Sequence, residues 1–241
     1  MEEFNEMQEV QQVQPPMVGQ LAQEEQVAFY RKTYAHVAGA VLLFIAVEAI
    51  FFQIPAVVNF AFSLAEGWTW LLLLGGFMFA TSKAEAMALG TTDRNTQYLA
   101  LVLYVIAEAF IFIPLIGIAF MVAGEGAFEM LNQAAIVTLS LFSGLTAAVL
   151  MTKKDFSFLK TGLAIGFFIA LGLIVAGVLF GFNLGLWFSV GMIVLAGGAI
   201  LYQTSQLVHN YRKEQYVAAS LGLFGSLMLL FWYVLSIFSS D

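Results

Sequence analysis

Two glutamates that stand inside long apolar stretches are the residues of this 241-residue chain best suited to chemistry. Glu48 lies in the phrase Val-Glu-Ala-Ile-Phe-Phe (47–52), and Glu108 lies in the similar phrase Ala-Glu-Ala-Phe-Ile-Phe (107–112). A carboxylate in a membrane segment costs about 2.5 to 3.5 kcal/mol on insertion scales, so such a residue usually faces the bundle interior or a water-filled cavity. We therefore predict that Glu48 and Glu108 line an ion pathway.

The predicted depths of the two glutamates agree with a shared pathway. At the rise of an α-helix, Glu48 lies about 22 Å and Glu108 about 15 Å from the start of its apolar segment, and both segments are predicted to run outward. Both side chains are therefore expected in the outer half of one cavity. The alternative is a pair of protonated acids, hydrogen-bonded to their neighbours, that stabilise the fold.

The chain lacks the residues that several other kinds of active site require. The chain contains no cysteine, which excludes disulfides, thiolate metal sites and a cysteine nucleophile. Its two histidines, His36 and His209, lie near the ends of predicted membrane segments. These positions do not suit a bis-histidine haem site or a buried serine–histidine pair. We therefore predict no catalytic constellation, no metal site and no cofactor, and we expect a protein that is not an enzyme.

The composition predicts a membrane protein. Hydrophobic residues make up 61% of the chain and charged residues only 10%, whereas a soluble domain has roughly 25% charged residues. Seven apolar runs are each close to the roughly 20 residues that cross a bilayer as a helix. The predicted fold is an all-α bundle of seven transmembrane helices, and the apolar stretch 57–62 is expected to dip into the outer interface. The seven runs are residues 33–54, 68–87, 98–122, 134–151, 158–180, 184–207 and 216–238.

The basic residues predict how the bundle is oriented. All of them fall before the first run or in and beside the turns after the second, fourth and sixth runs, and the other turns contain none. The positive-inside rule then places the N-terminus in the cytoplasm and Asp241 outside. The nine basic residues are Arg31, Lys32, Lys83, Arg94, Lys153, Lys154, Lys160, Arg212 and Lys213.

The first 26 residues differ in composition from the rest of the chain. They hold six glutamates, no lysine or arginine, and the pair Pro15-Pro16. Such a segment buries too little apolar surface to offset its ordering entropy, so we predict a disordered cytoplasmic tail over residues 1–26 and a transmembrane domain over residues 27–241. The alternative is a docking segment for a partner. The net charge of −7 argues against a nucleic-acid partner.

Asp155 stands just before the fifth apolar run, directly after Lys153 and Lys154. A carboxylate at this place can accept hydrogen bonds from the first free N–H groups of a helix and interact favourably with its dipole. We therefore predict that Asp155 is a structural cap of the fifth membrane helix.

Four phrases, in order, carry a resemblance to a known family. The phrase Ile-Leu-Tyr-Gln-Thr-Ser (200–205), followed by a basic turn and a helix that begins Tyr-Val-Ala-Ala-Ser-Leu (216–221), resembles the end of a transmembrane Bax inhibitor motif protein. Residues 31–40, 98–109 and 152–159 support the match. The resemblance covers about residues 29–236 and identifies the chain as similar to the Bax inhibitor-1 (YccA-like) family, which implies an integral membrane protein of the bacterial cytoplasmic membrane.

The chain departs from this family at two positions. The resemblance implies an acid at each of the positions of Gln203 and Ser226, and two acids that share a proton and gate a calcium leak. Neither glutamine nor serine titrates near neutral pH, so the expected function is a cation (calcium) leak without the usual di-aspartyl gate, with Gln203 able to donate a hydrogen bond to Ser226. The alternative is a non-conducting regulator that binds a membrane-bound protease or another membrane complex. The expected partners are membrane lipids, calcium or other cations, and such a protease.

Overall fold

The computed structural model describes residues 16–239, and those residues fold as helices without any β-strand. By length and composition, six helical runs in this part of the chain could cross a membrane. The longest run is divided at a 3-10 turn, Gly124–Gly126, where Gly124 takes a φ of 53°, a value that glycine adopts without strain. The α-helices are α1 (Gln23–Phe51), α2 (Pro55–Leu64), α3 (Thr69–Leu89), α4 (Arg94–Ala123), α5 (Ala127–Thr152), α6 (Leu159–Phe180), α7 (Gly185–His209) and α8 (Tyr216–Phe238).

The predicted bundle of seven long helices is confirmed. α2 is the additional short helix, and Pro55 at its first turn has the fixed φ that suits a helix start. The largest boundary error is at α1, which begins at Gln23 rather than at residue 33. An apolar run marks the part of a helix that faces lipid or the bundle core, whereas the polar first turns of α1 extend beyond it.

α8 forms the centre of the bundle. It packs on α1, α3, α4, α5 and α7, and its side chains include several of the largest that are fully buried. α6, by contrast, packs chiefly on α7 and leaves apolar side chains such as Phe168 and Ile169 exposed. Exposed apolar side chains on a membrane helix face lipid, so α6 lies at the periphery and α8 at the core.

One end of the bundle holds the basic residues, and we call it the basic end. It comprises the N-terminal ends of α1, α4, α6 and α8 and the C-terminal ends of α3, α5 and α7. Contacts between distant residues join these helix ends: His209 Nε2 lies 3.2 Å from the carbonyl oxygen of Lys153, and Lys153 Nζ donates to Gln26 Oε1 at 3.3 Å.

An N-terminal clip, residues 17–25, is bound to the basic end. The backbone N–H of Val18 donates to the carbonyl of Tyr211 at 2.8 Å, Met17 and Arg212 form an antiparallel bridge, and Glu25 is ion-paired with Lys213. The Val18 side chain is fully buried.

The clip corrects part of the prediction of a disordered tail over residues 1–26, because residues 16–26 have a defined place. Residues 1–15 lie outside the described part of the chain. Composition predicted disorder in the clip because its backbone partners belong to a turn near the other end of the chain. No local sequence pattern reveals such partners.

Asp155 has a different structural role from the predicted one. α6 begins only at Leu159 and has no side-chain cap. Asp155 Oδ1 instead accepts from the backbone N–H of Ser157 at 2.8 Å and from the hydroxyl of Ser205 at 3.3 Å, which ties the α5–α6 turn to α7. Hydrogen bonds from Ser157, with smaller contributions from Ser205 and His209, hold the pKa of this carboxyl below its usual value. Asp155 therefore stabilises the turn rather than the helix.

Candidate functional site

Two adjoining cavities lie inside the bundle: residues of α3, α4, α6, α7 and α8 line one, and residues of α3, α7, α8 and the turn between α7 and α8 line the other. The larger, of about 440 Å³, reaches the middle of the bundle, and the smaller, of about 350 Å³, lies at the basic end. Glu85, Gln203 and Gly222 line both cavities, so the two cavities adjoin at these residues. Neither cavity is lined by a lysine, arginine or histidine. The polar residues of the larger cavity are Thr81, Ser82, Glu85, Tyr104, Glu108, Gln203, Ser226 and Tyr233.

Glu108 is the most deeply placed acid of the larger cavity. Its side chain is 5% exposed, and Tyr104, which lies one turn earlier on the same face of α4, lines the same cavity. Glu85 of α3 is half-buried and close enough to interact electrostatically with both of these residues. Two carboxyl groups from different helices therefore face one space that no basic side chain neutralises.

The oxygen atoms of the two cavities form a series that leads inward from the basic end. Each depth follows from the number of residues between the side chain and the end of its helix, at 1.5 Å per residue. The depths are about 6 Å for Glu85, about 9 Å for Gln203, about 15 Å for Ser226 and about 21 Å for Glu108.

The mouth of the smaller cavity is lined by neutral polar groups. Asn210, Tyr211 and Gln215 lie there, and the Tyr211 carbonyl is the one that accepts from the N-terminal clip. Burial, together with the nearby charge of Glu85, raises the pKa of Tyr211 to about 12. Its hydroxyl therefore stays protonated at physiological pH and can donate a hydrogen bond at the mouth.

Two glycines of α8 keep the larger cavity open. A Cβ atom at Gly222 would lie 2.7 Å from Gln203 Oε1, and a Cβ atom at Gly225 would overlap the hydroxyl of Tyr104. The side chains of Gln203 and Tyr104 therefore lie directly against the α8 backbone. Any larger residue at either position would push one of them into the cavity.

Aromatic side chains close the cavity at the end away from the basic residues. Trp70 and Trp232 stack with their ring centroids 6.0 Å apart, and Phe112 meets Trp232 edge to face at 4.9 Å. All three side chains line the cavity. In this conformation the polar series therefore ends at an apolar constriction.

Glu48 is not brought to this cavity. Its side chain is 6% exposed, both carboxyl oxygens lack a hydrogen-bond partner, and it is absent from the lining of either cavity. One turn earlier on α1, Phe44 packs against Phe112 edge to face at 5.2 Å. Glu48 and Glu108, predicted to share one cavity, therefore lie in different surroundings.

Gln203 and Ser226 both line the larger cavity. Within residues 16–239 no hydrogen bond joins them, because Gln203 lies against Gly222, one turn before Ser226 on α8. Sequence reasoning missed Glu85 and Tyr104. Glu85 is a carboxylate inside the predicted run 68–87 and could have been found by the rule that selected Glu48 and Glu108. Tyr104 could have been found from its spacing to Glu108.

The site offers oxygen atoms but no metal cage. In the described part of the chain, no three His, Cys, Asp or Glu side chains lie close enough together to hold a metal ion. Two carboxylates with amide and hydroxyl oxygens at different depths can attract a cation in steps, without the six to eight simultaneous oxygen ligands of about 2.3 to 2.6 Å that tight calcium binding requires. Such an arrangement suits passage better than storage.

Comparison with known proteins gives one family. The family model for Bax1-I, inhibitor of apoptosis-promoting Bax1, matches residues 26–241. Protein lifeguard 4 of Mus musculus is 31% identical over 217 residues, 86% of this chain and 83% of that protein. The modulator of FtsH protease YccA of Escherichia coli is 31% identical over 170 residues, 69% of this chain and 73% of that protein. An uncharacterized protein of Pseudomonas aeruginosa is 36% identical over 111 residues, 46% of this chain and only 50% of that protein's length.

Proposed function

The chain belongs to the Bax inhibitor-1 family, and on that premise we propose that it is a passive leak pathway for cations, calcium among them, across a bacterial cytoplasmic membrane. The location is supported by the seven apolar helices and by the similarity to a protein named as the inner membrane protein YccA of Escherichia coli. In this proposal Glu85 and Glu108 are the acids of the pathway.

One observation carries the proposal: two carboxyl groups face adjoining cavities whose lining contains no basic residue. Calcium and other hard cations prefer oxygen ligands, and the cavities offer such ligands from the basic end to the middle of the bundle. Conduction requires sites that bind strongly enough to admit an ion and weakly enough to release it. Dispersed single carboxylates meet this requirement.

The rate of the leak is limited at the aromatic constriction. Trp70, Phe112 and Trp232 present only apolar surface to an ion that leaves Glu108. An apolar constriction blocks ions until it is wetted, so the gate in this proposal is a separation of α3 from α8 at Trp70 and Trp232. This gate needs no acid at Gln203 or Ser226.

Calcium flux into proteoliposomes tests the proposal. We expect the unmodified protein to carry calcium faster than empty vesicles, and the double variant Glu85→Gln/Glu108→Gln to reduce that flux by at least about tenfold, since it removes the charges that offset ion desolvation. The matched control, Glu66→Gln/Glu125→Gln, removes two exposed acids from turns at the opposite end. Flux no faster than that of empty vesicles would exclude a leak.

A second candidate function is supported by the similarity to YccA, which extends over 69% of this chain and whose printed name describes a modulator of the FtsH protease. In this alternative the chain binds a membrane-bound protease and slows or redirects it. The test is degradation of an FtsH substrate in Escherichia coli cells lacking YccA, with and without this chain. Modulation that persists in the Glu85→Gln/Glu108→Gln variant, together with absent flux, would favour the regulator.

A further inference from the structure

An aromatic and basic patch lies at the basic end, on the side of the bundle where α1, α4 and α8 meet. The His36 ring packs on Tyr98 with 5.6 Å between ring centroids and on Tyr216 with 5.0 Å. The Tyr216 ring in turn carries two cations: Arg94 Cζ is 4.4 Å and Lys32 Nζ is 5.4 Å from its centroid. Three helices thus hold two positive charges over one ring.

The two cations of this patch have no carboxylate partner. Among residues 16–239 the ion pair between Lys213 and Glu25 is the only one, and it is part of the N-terminal clip. The nearest acid in sequence, Asp93, accepts from the backbone N–H of Thr96 at 2.9 Å and from its hydroxyl at 2.6 Å, as the cap of α4. The charges of Lys32 and Arg94 are therefore available to an external anion.

Hydrogen bonds hold the His36 ring in place beneath the cations. Its Nδ1 lies 2.7 Å from the carbonyl oxygen of Lys32, which can only accept, so Nδ1 donates. Nε2 then accepts from the Tyr98 hydroxyl at 3.0 Å. The ring therefore ties α1 to α4 and packs against the Tyr216 ring that carries the two cations.

Exposed apolar surface continues from the patch along both flanking helices. On α4, Leu99 and Leu103 follow Tyr98 and are 53% and 48% exposed. On α1, Ala35 and Gly39 are exposed, and nothing lies within 4 Å of the place where a Gly39 Cβ would be. A shallow apolar strip therefore adjoins the two cations, at the level where the membrane segments of the bundle begin.

We propose that this patch binds one anionic phospholipid, with Lys32 and Arg94 contacting the phosphodiester and an acyl chain lying along Leu99 and Leu103. Basic pockets between membrane helices suit anionic head groups, since the lipid supplies the counter-charge and the apolar strip excludes water from the chain. The occupant is a lipid and not a free phosphate, because inorganic phosphate has no apolar chain that could cover the strip. The proposal is independent of the ion pathway.

Titration of palmitoyl-oleoyl-phosphatidylglycerol into the purified full chain in a neutral detergent, followed by native mass spectrometry, tests the proposal. We expect one lipid bound preferentially, and the variant Lys32→Gln/Arg94→Gln to weaken its binding about 30-fold, since each basic residue near an anionic lipid contributes about 1 kcal/mol. The matched control Lys154→Gln/Lys160→Gln removes two exposed charges from the same end and should change binding less than about threefold.

Two further measurements separate this site from general charge attraction. The variant Tyr98→Phe, which keeps all charges but loses the hydrogen bond to His36, should weaken binding about fivefold without changing thermal stability by more than about 2 °C. Equal weakening in the two charge variants, phosphatidylcholine binding as tightly as phosphatidylglycerol, or displacement of the lipid by inorganic phosphate would each overturn the proposal.

Discussion

Glu48 and Glu108 occupy similar phrases of the sequence but different surroundings in the bundle. Glu108 faces a cavity that Tyr104 and Glu85 also line. Glu48 is equally buried but lines neither cavity, and both of its carboxyl oxygens lack a partner. Similar phrases in two membrane helices therefore do not place their acids in similar surroundings, because the rotation of each helix decides which face meets a cavity.

The largest expected difference between the two acids is in ion flux. If the cavity is the pathway, Glu108→Gln should reduce calcium flux by at least about tenfold, because one unit charge in a poorly solvated site is worth more than the 1.4 kcal/mol of a tenfold change. Glu48→Gln should leave flux within about twofold. Proteoliposome flux measured at equal protein incorporation makes the comparison. Equal loss in both variants would restore the shared pathway expected from the sequence.

For the free energy of unfolding, we expect the larger change from the substitution at Glu48 and the smaller one from that at Glu108. Glu48→Leu removes two buried oxygens that lack partners and should raise the free energy of unfolding by about 1 to 3 kcal/mol. Glu108→Leu places an apolar side chain among the other polar residues of the larger cavity, so it should stabilise less or destabilise. Thermal unfolding in detergent provides the readout. A lower melting temperature for Glu48→Leu would mean that Glu48 has a partner such as a buried water.

A substitution at Gly225 tests the packing beside the cavity, because a Cβ atom at this position would overlap the Tyr104 hydroxyl. Gly225→Ala should displace the Tyr104 side chain and lower the free energy of unfolding by about 1 to 3 kcal/mol, the usual range for overpacking a buried contact. Gly76→Ala is the matched control, since nothing lies within 4 Å of the Cβ position there. If both variants unfold at the same temperature, the close contact between α4 and α8 is not maintained.

The smallest expected effect concerns the two substituted family positions. Gln203 and Ser226 do not titrate near neutral pH, so the unmodified protein should show no change in flux between about pH 6 and 8 through this pair. The double variant Gln203→Asp/Ser226→Asp places two carboxylates in one cavity, where they would share one proton, and should create a roughly threefold pH response that neither single variant shows. Flux measured across this pH range in the unmodified protein and in the three variants tests this expectation. A pH response in the unmodified protein that survives Glu85→Gln/Glu108→Gln would contradict this expectation.

The features that could be predicted from the sequence are those that depend only on the depth of a residue in the membrane. Apolar runs of fixed length predicted the seven helices, and the basic residues were predicted to share one end. The rotation of each helix about its own axis is a second coordinate, and it depends on packing. For that reason Glu48 and Glu108 could be compared in depth but not assigned to a face.

The convergence of Glu85, Tyr104 and Gln203 on one cavity could not be predicted in the same way. The three residues belong to α3, α4 and α7, and all three helices meet α8 or each other only in the folded bundle. Gly222 and Gly225 make that approach possible, yet glycine is common in membrane helices and its presence alone indicates no particular contact.

The N-terminal clip has a consequence for how the protein is made. Glu25 and Lys213, which it joins, are 188 residues apart. Since translation adds roughly 5 to 20 residues per second, the clip waits roughly 10 to 40 s after its own synthesis before its partners leave the ribosome. During that interval the backbone groups of residues 17–19 are open to any factor on the same side of the membrane. Closure of the clip can therefore begin only after the turn that precedes the last helix has been made.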